Sequence, residues 1–165
     1  FLQKTFSANK HIKLNNLAIA EKAGKKIMKI NKLSDTSTLN EIDNSSLYFK
    51  FKSLLLYEKN SIISEQEVLT TTIDLFFHNI EFSKKTLMKI DTEGYEYNVL
   101  KGSENKIKEI KFILIENQFS KMYKNVTFED CHQFLINHNF KLLKKFKFPT
   151  LHYEDRLYVN QVDNI

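Results

Sequence analysis

Three carboxylates, Asp91, Glu93 and Glu96, fall within a span of six residues beside Gly94, one of only three glycines in the chain. An apolar run that contains Lys89 precedes them. This pattern predicts a short buried strand that ends at the acids, turns at the glycine and enters a helix. In open α/β sheets, ligands bind beyond the carboxyl ends of the strands. The sequence therefore places acids where they could orient a substrate or accept a proton.

Lys89 is expected to point the same way as Asp91, because side chains two residues apart share a strand face. A charge in a buried strand rarely stays unpaired, so we expect Lys89 to pair with one of the acids. Such a pair would lower the pKa of that acid and weaken it as a base. The competing interpretation is structural: the acids would cap the following helix through its free amides and dipole, and Lys89 would be an ordinary ion-pair partner.

Strand and helix signals alternate along the rest of the chain. The second half is the more regular, with an apolar strand over residues 111–117, a helix that ends near residue 139, and two late strands. Because a short connection joins these two strands after a helix, we expect an antiparallel hairpin. Weaker patterns predict strands over residues 11–20, 26–30 and 67–71. The fold class indicated is α/β, with a mostly parallel sheet and a C-terminal antiparallel hairpin.

Length, charge and cysteine content narrow the class of protein. A chain of 165 residues has room for one domain with a sizeable core, so we treat residues 1–165 as a single domain. The net charge of +5 comes from scattered lysines, which argues against a nucleic-acid partner. The lone Cys131 excludes an internal disulfide and fits a small core residue in a reducing compartment. With neither a signal peptide nor a bilayer-spanning apolar run in the sequence, we expect a cytoplasmic protein.

The five histidines do not form a metal-ligand set. His132 and His138 are six residues apart on a predicted helix and so do not share a face. The other three, His11, His78 and His152, are isolated in the sequence. The isolated histidines fit a surface or packing role better, so we assign no residue as a metal ligand. Whether a metal ion assists is left open.

Four sequence blocks resemble the FkbM-type methyltransferases, a family that uses S-adenosylmethionine. The most specific block is Lys-Ile-Asp-Thr-Glu-Gly-Tyr-Glu, followed by Val-Leu-Lys-Gly, within residues 89–102. The strand Phe-Ile-Leu-Ile-Glu at residues 112–116 is similar to the family's next strand, which also closes on Glu. Weaker blocks lie at residues 12–19 and 68–74, so the resemblance covers roughly residues 10–118.

The resemblance implies a class I methyltransferase-like, Rossmann-like sheet and S-adenosylmethionine as the cofactor. It also implies O-methylation of a hydroxyl on a sugar or secondary-metabolite acceptor. Asp91 becomes the candidate for orienting substrate or cofactor, and Glu93 the candidate base or hydroxyl clamp. Asn16 and Ala18 fall where the family's fold contacts the adenine. The irregular segment 31–64 is expected to form an acceptor-side loop or lid. Three further residues are expected to touch the substrate or to support these groups: Lys89, Glu96 and Glu116.

One element of the family's pattern is missing. Folds that bind dinucleotides or S-adenosylmethionine begin with a glycine-rich turn after the first strand, and this chain contains no Gly-x-Gly. We therefore expect a domain truncated at its N-terminal edge, and the activity of the chain alone is left open. The alternative is a non-catalytic methyltransferase-like module for binding or assembly, whose missing edge a partner would complete. The expected partner of an active enzyme is a small-molecule or saccharide acceptor, and a homo-oligomer is left open.

Overall fold

The computed structural model describes residues 2–31, 37–40, 62–118, 128–147 and 153–162. The lid predicted over residues 31–64 therefore lies largely outside the described residues. No helix in the described part of the chain is long and apolar enough to cross a membrane. A 3₁₀ helix, Lys106–Glu109, accompanies the main elements, which are α1 (Leu2–Phe6), β1 (Ala18–Ile19), β2 (Gly24–Asn31), β3 (Ile62–Thr71), α2 (Ile73–Phe76), β4 (Leu87–Ile90), α3 (Glu96–Lys101), β5 (Phe112–Gln118), α4 (Phe128–Asn137), β6 (Phe140–Lys147) and β7 (Tyr153–Asn160).

The first sheet has three strands in the order β1-β3-β2. β2 and β3 form a long antiparallel pair, and β1 runs parallel to the end of β3, with Ala18 opposite Thr70 and Ile19 opposite Thr71. The strand predicted over residues 11–20 is therefore much shorter than expected. In the described part of the chain β1 meets a neighbouring strand only at these two residues, and a strand exists only where it has a partner.

The second sheet has four strands in the order β4-β5-β7-β6. β4 and β5 are parallel, whereas β7 is antiparallel to both β5 and β6, so the C-terminal hairpin is confirmed. The α/β class is confirmed as well. The described strands nevertheless form two sheets, with two parallel and three antiparallel pairings, and not the one mostly parallel sheet that we predicted. The reason is the β2–β3 pair, whose strands bond to each other and not to β4.

The main core lies on one face of the second sheet, under α3 and α4. Burial alternates along β5 accordingly: Ile113 and Ile115 are fully buried, whereas Phe112 and Leu114 are half-buried. Cys131 packs into this core at 2% exposure, as expected, and burial raises the pKa of its thiol. Large side chains with no more than 1% exposure complete the core: Leu100, Ile107, Ile110, Leu135, Phe140 and Tyr158.

The two sheets meet at a close backbone contact between Ala20, after β1, and Gly102, after α3. The amide of Ala20 donates to the carbonyl of Thr71 at 2.8 Å, and the amide of Asp74 donates to the carbonyl of Gly102 at 3.0 Å. Both contact residues are buried. A Cβ atom at position 102 would overlap with the carbonyl oxygen of Ala20. Lack of space, and not backbone conformation, therefore requires glycine here.

Candidate active site

The carboxyl ends of β4 and β5 bring three acids together. Ile90 pairs with Ile115 in the parallel register, so the residues that follow them, Asp91 and Glu116, lie side by side. Glu93 joins them from the turn after β4, and carboxylate oxygens of the three acids lie within 4.8 Å of one another. We call Asp91, Glu93 and Glu116 the acidic corner. It combines two acids from one strand end with a third from the neighbouring strand.

Lys89 provides a positive charge at the acidic corner. Its Nζ donates to Oδ2 of Asp91 at 2.7 Å, which confirms that the two side chains share a strand face and form a pair. The hydrogen bond to Asp91 and the nearby charges of Asp155 and Glu116 raise the pKa of Lys89. The lysine is therefore a permanent cation and not a base. The expectation of a charge inside a buried strand was wrong, because this face of β4 is open and the Lys89 side chain is 49% exposed.

A tight turn connects the acidic corner to α3. Glu93 and Gly94 both have positive φ, 52° and 88°. Below them lies Glu96, whose Oε1 accepts hydrogen bonds from the amides of Thr92 at 3.0 Å and Gly94 at 3.1 Å, and from the Thr92 hydroxyl at 3.2 Å. The N-cap of α3 is Tyr95, which makes no side-chain cap hydrogen bond. We considered three roles for Glu96: contact with substrate, support of the other acids, and capping of the helix through its free amides. The contacts with the amides of Thr92 and Gly94 favour a structural role at the turn that precedes α3.

Replacing Glu96 by alanine is expected to loosen this turn. Two backbone amides would lose their acceptor, at a cost of about 1–3 kcal/mol in the free energy of unfolding. Glu96→Gln keeps an accepting oxygen and should stay within about 1 kcal/mol of the wild type at pH 7. Burial raises the pKa of Glu96 above its usual value. The protein therefore loses stability as the pH rises through the raised pKa and the side chain ionises. Glutamine avoids this loss. Urea unfolding gives the free energy of unfolding of both variants. Equal losses of stability in Glu96→Ala and Glu96→Gln would contradict the role of Oε1 as a hydrogen-bond acceptor.

A cleft of about 410 Å³ opens beside Asp91, between the two sheets. The first sheet and residues 37–39 form one wall, and Thr92 and Tyr95 contribute to the other. Asn16 and Ala18 line the same cleft as Asp91. The three residues that we predicted to contact the cofactor are thus brought to one place by the fold.

An ion pair and a tyrosine join the two walls of this cleft. The Tyr95 hydroxyl donates to Oε2 of Glu21 at 2.7 Å, and Nζ of Lys26 donates to Oε1 of Glu21 at 2.9 Å. Burial alone would raise the pKa of Glu21, but these hydrogen bonds outweigh it and lower the pKa to about 2. Glu21 therefore stays ionised and holds Tyr95 at the surface of the cleft.

Stability is expected to depend on pH through Glu21. A carboxyl whose pKa falls on folding from 4.5 to about 2 stabilises the fold above pH 4.5, and this contribution is lost as the pH falls toward 2. Between pH 6 and pH 3 the loss is about 2 kcal/mol. Glu21→Gln removes this linkage. In guanidinium chloride unfolding, the stability advantage of the wild type over the variant should therefore be about 2 kcal/mol smaller at pH 3 than at pH 6. A stability difference that is the same at both pH values would contradict the prediction.

Sequence reasoning missed three residues that shape this site: Glu21, Thr38 and Tyr95. Tyr95 stands inside the motif, but nothing in the motif assigns a role to its side chain. Glu21 is the first acid in the chain and directly follows the block that contains Asn16, which was an available signal. Thr38 lay in a stretch that indicated only a loop, and nothing local marked it.

Within the described residues, the group that could hold a metal ion is the acidic corner itself, and it contains no histidine. Carboxylates at this spacing suit a hard cation such as Mg²⁺ or Ca²⁺. The corner already has an internal cation, because Lys89 donates to Asp91. That the histidines form no metal site stays a prediction.

Acids at neighbouring strand ends beside a cleft are the arrangement in which α/β enzymes typically hold their ligands. Residues 3–142 match the family model of the methyltransferase FkbM domain. The match spans most of the chain, so the chain belongs to this family and its enzyme class is methyltransferase. The resemblance based on residues 89–102 is thereby confirmed. Comparisons with curated proteins and with solved structures gave no match.

Proposed function

We propose that the protein transfers a methyl group from S-adenosylmethionine to a hydroxyl group of a sugar or secondary-metabolite acceptor. The observation that carries the proposal is the shared cleft, which Asn16 and Ala18 line together with Asp91, a residue far from them in sequence. Membership in the methyltransferase family supports the reaction class. The hydroxyl acceptor is the part of the proposal that rests on the acidic corner.

The residues of the cleft fit this cofactor. Adenosine presents a flat aromatic base and a polar ribose, and Leu17, Ile19 and Val68 offer apolar wall, with Asn16 and Asp91 as polar groups. When bound, S-adenosylmethionine supplies an electrophilic methyl group. Asp91 would orient the bound molecule from the strand end, and its own position is held by Lys89.

The acidic corner would act on the acceptor. Transfer to a hydroxyl requires the acceptor oxygen to be held in line with the methyl group and its proton to be taken. Asp91, which accepts from Lys89 at 2.7 Å, is assigned to orientation. We assign the proton to Glu93, the candidate base, with Glu116 beside it as a second hydrogen-bond acceptor. A positioned base of this kind contributes about a hundredfold or more to the rate.

The second sheet is proposed to be part of a class I methyltransferase-like sheet, and segment 31–64 to be the acceptor-side lid. In the described part of the chain, β4 pairs with β5 on one side, so its other edge could accept a further strand. The lid is supported by Thr38 and Asn40, which contact the turn of the acidic corner.

The proposal is tested by methyl transfer from S-adenosylmethionine, labelled in its methyl group, to a panel of monosaccharides, methyl glycosides and hydroxylated aromatic compounds. We expect one class of acceptor to gain a base-stable label, since methyl ethers resist alkali, together with one S-adenosylhomocysteine per label. A base-labile label would indicate a carboxyl acceptor and overturn the proposal. Cofactor binding without transfer to any acceptor would favour the non-catalytic module.

A further inference from the structure

The turn that forms the acidic corner is held by side chains outside its own strand and helix. Thr38 Oγ1 donates to the carbonyl of Glu93 at 2.8 Å, and Asn40 Nδ2 donates to the carbonyl of Gly94 at 2.7 Å. Glu93 and Gly94 are the two residues of this turn that have positive φ. For Glu93 this conformation costs about 1–2 kcal/mol. Glycine adopts positive φ without this cost, so the carbonyl that Thr38 holds is that of the least favourable residue in the turn.

Thr38 is itself fixed to the first sheet. Its carbonyl accepts from the amide of Lys29 at 2.8 Å, and its amide donates to the carbonyl of Lys29 at 3.1 Å. The side chain is buried at 1% exposure, and its Oγ1 also accepts from the amide of Asn40 at 3.0 Å. Residues 37–40, which we call the strap, therefore attach to β2 at one end and hold the turn of the second sheet at the other.

The support is complete only when both sides act. On the helix side, Glu96 accepts hydrogen bonds from the amides of Thr92 and Gly94. On the other side, the strap donates hydrogen bonds to the carbonyls of Glu93 and Gly94. Without the strap, the Glu93 backbone could relax toward negative φ. Its Cβ would then move, and the carboxylate would leave the other two acids.

We propose that Thr38 and Asn40 are positioning residues, which hold the Glu93–Gly94 turn so that the Glu93 carboxylate stays with Asp91 and Glu116. The catalytic meaning of this inference rests on the proposed function. A misplacement of about 1 Å costs on the order of a hundredfold in rate, so we expect a loss of about tenfold or more in kcat without the strap's hydrogen bonds. Thr38 also lines the cleft, whereas Asn40 is not among the residues lining it, so Asn40 separates positioning from contact with the cofactor.

Amide hydrogen exchange measured by NMR tests the structural part. The variants are Thr38→Val and Asn40→Ala, with Thr38→Ser as the rescue that keeps the hydroxyl. Thr70→Val is the matched control, because it removes an equivalent hydrogen bond, from buried Thr70 Oγ1 to the carbonyl of Lys22 at 3.0 Å, away from the turn. We expect the amide of Gly94 to exchange about tenfold faster in the first two variants and at the wild-type rate in the other two.

Two results would overturn the proposal. One is unchanged exchange at the turn in both Thr38→Val and Asn40→Ala. The other is acceleration spread evenly over β5 and α4, which would indicate a general loss of stability and no local role.

A second measurement links the turn to the reaction. Using the acceptor found with the panel above, Asn40→Ala should lower kcat about tenfold while calorimetry shows S-adenosylmethionine affinity within about twofold of the wild type. Equal losses of kcat and affinity would contradict a positioning role. If the wild type neither binds the cofactor nor methylates the panel, the proposed function fails, and the exchange result still decides whether the strap holds the turn.

Discussion

Methyl transfer is expected to fall by about a hundredfold or more when Asp91 is replaced by asparagine, because the methyl donor would lose the group that orients it. Asparagine keeps the shape of the side chain but removes the charge that pairs with Lys89 at 2.7 Å. Because Asp91 also lines the cleft, the affinity for S-adenosylmethionine should fall as well. The label-transfer assay measures the rate, and calorimetry measures the affinity.

Glu93→Gln separates the two effects. Glu93 belongs to the acidic corner but is not among the residues that line the cleft. We therefore expect a rate loss of about a hundredfold, with little change in cofactor affinity. Asp130→Asn is the matched control, since it removes an exposed carboxylate in the first turn of α4, and should leave both quantities unchanged. Full activity in both Asp91→Asn and Glu93→Gln would mean that the acids only begin a helix.

Gly102→Ala is expected to have the largest effect on stability. A Cβ atom at this position would overlap with the carbonyl oxygen of Ala20 and press on Cβ of Thr72. The backbone has little room to move, because the Gly102 amide is bonded to the carbonyls of Asn98 and Val99 and its own carbonyl accepts from Asp74. Overpacking of this kind costs about 3 kcal/mol or more.

The measurement for Gly102→Ala is the free energy of unfolding in urea, with Lys101→Ala as the control. Lys101 is the exposed neighbouring residue at the end of α3, and its replacement should change stability by less than about 0.5 kcal/mol. A Gly102→Ala protein as stable as this control would show that the contact between the two sheets is looser than described. Failure of the variant to accumulate as folded protein agrees with the prediction.

The acidic corner could be predicted from the sequence because its acids follow two consecutive strands, β4 and β5, which pair in parallel. Asp91 and Glu116 end neighbouring strands, and the alternation of side chains along a strand determines which residues share a face. Lys89 and Asp91 illustrate this, since their pairing follows from a spacing of two residues. The hairpin β6–β7 could be predicted for a similar reason, because two strands that are adjacent in sequence are joined by a short connection.

The walls of the cleft could not be predicted, because they depend on contacts between residues far apart in the chain. Thr38 and Glu93 are 55 residues apart, and Tyr95 and Glu21 are 74 residues apart. No local pattern encodes such a pairing. The division into two sheets has the same cause, since the partner of β3 is decided by tertiary contacts, and periodicity indicates only that a strand exists.

Calorimetric titration of the protein with S-adenosylmethionine is the most direct test of the proposed cofactor site. We expect saturable binding at one site per chain. In Ala18→Phe, whose ring would fill the cleft, we expect the affinity to be lowered about tenfold or more. Ile27→Phe is the control, because Ile27 is 48% exposed and, unlike its neighbour Met28, is not among the residues lining the cleft. This variant should bind like the wild type. Absence of binding to the wild type, or equal binding by all three proteins, would contradict the claim that the cleft beside Asp91 holds the methyl donor.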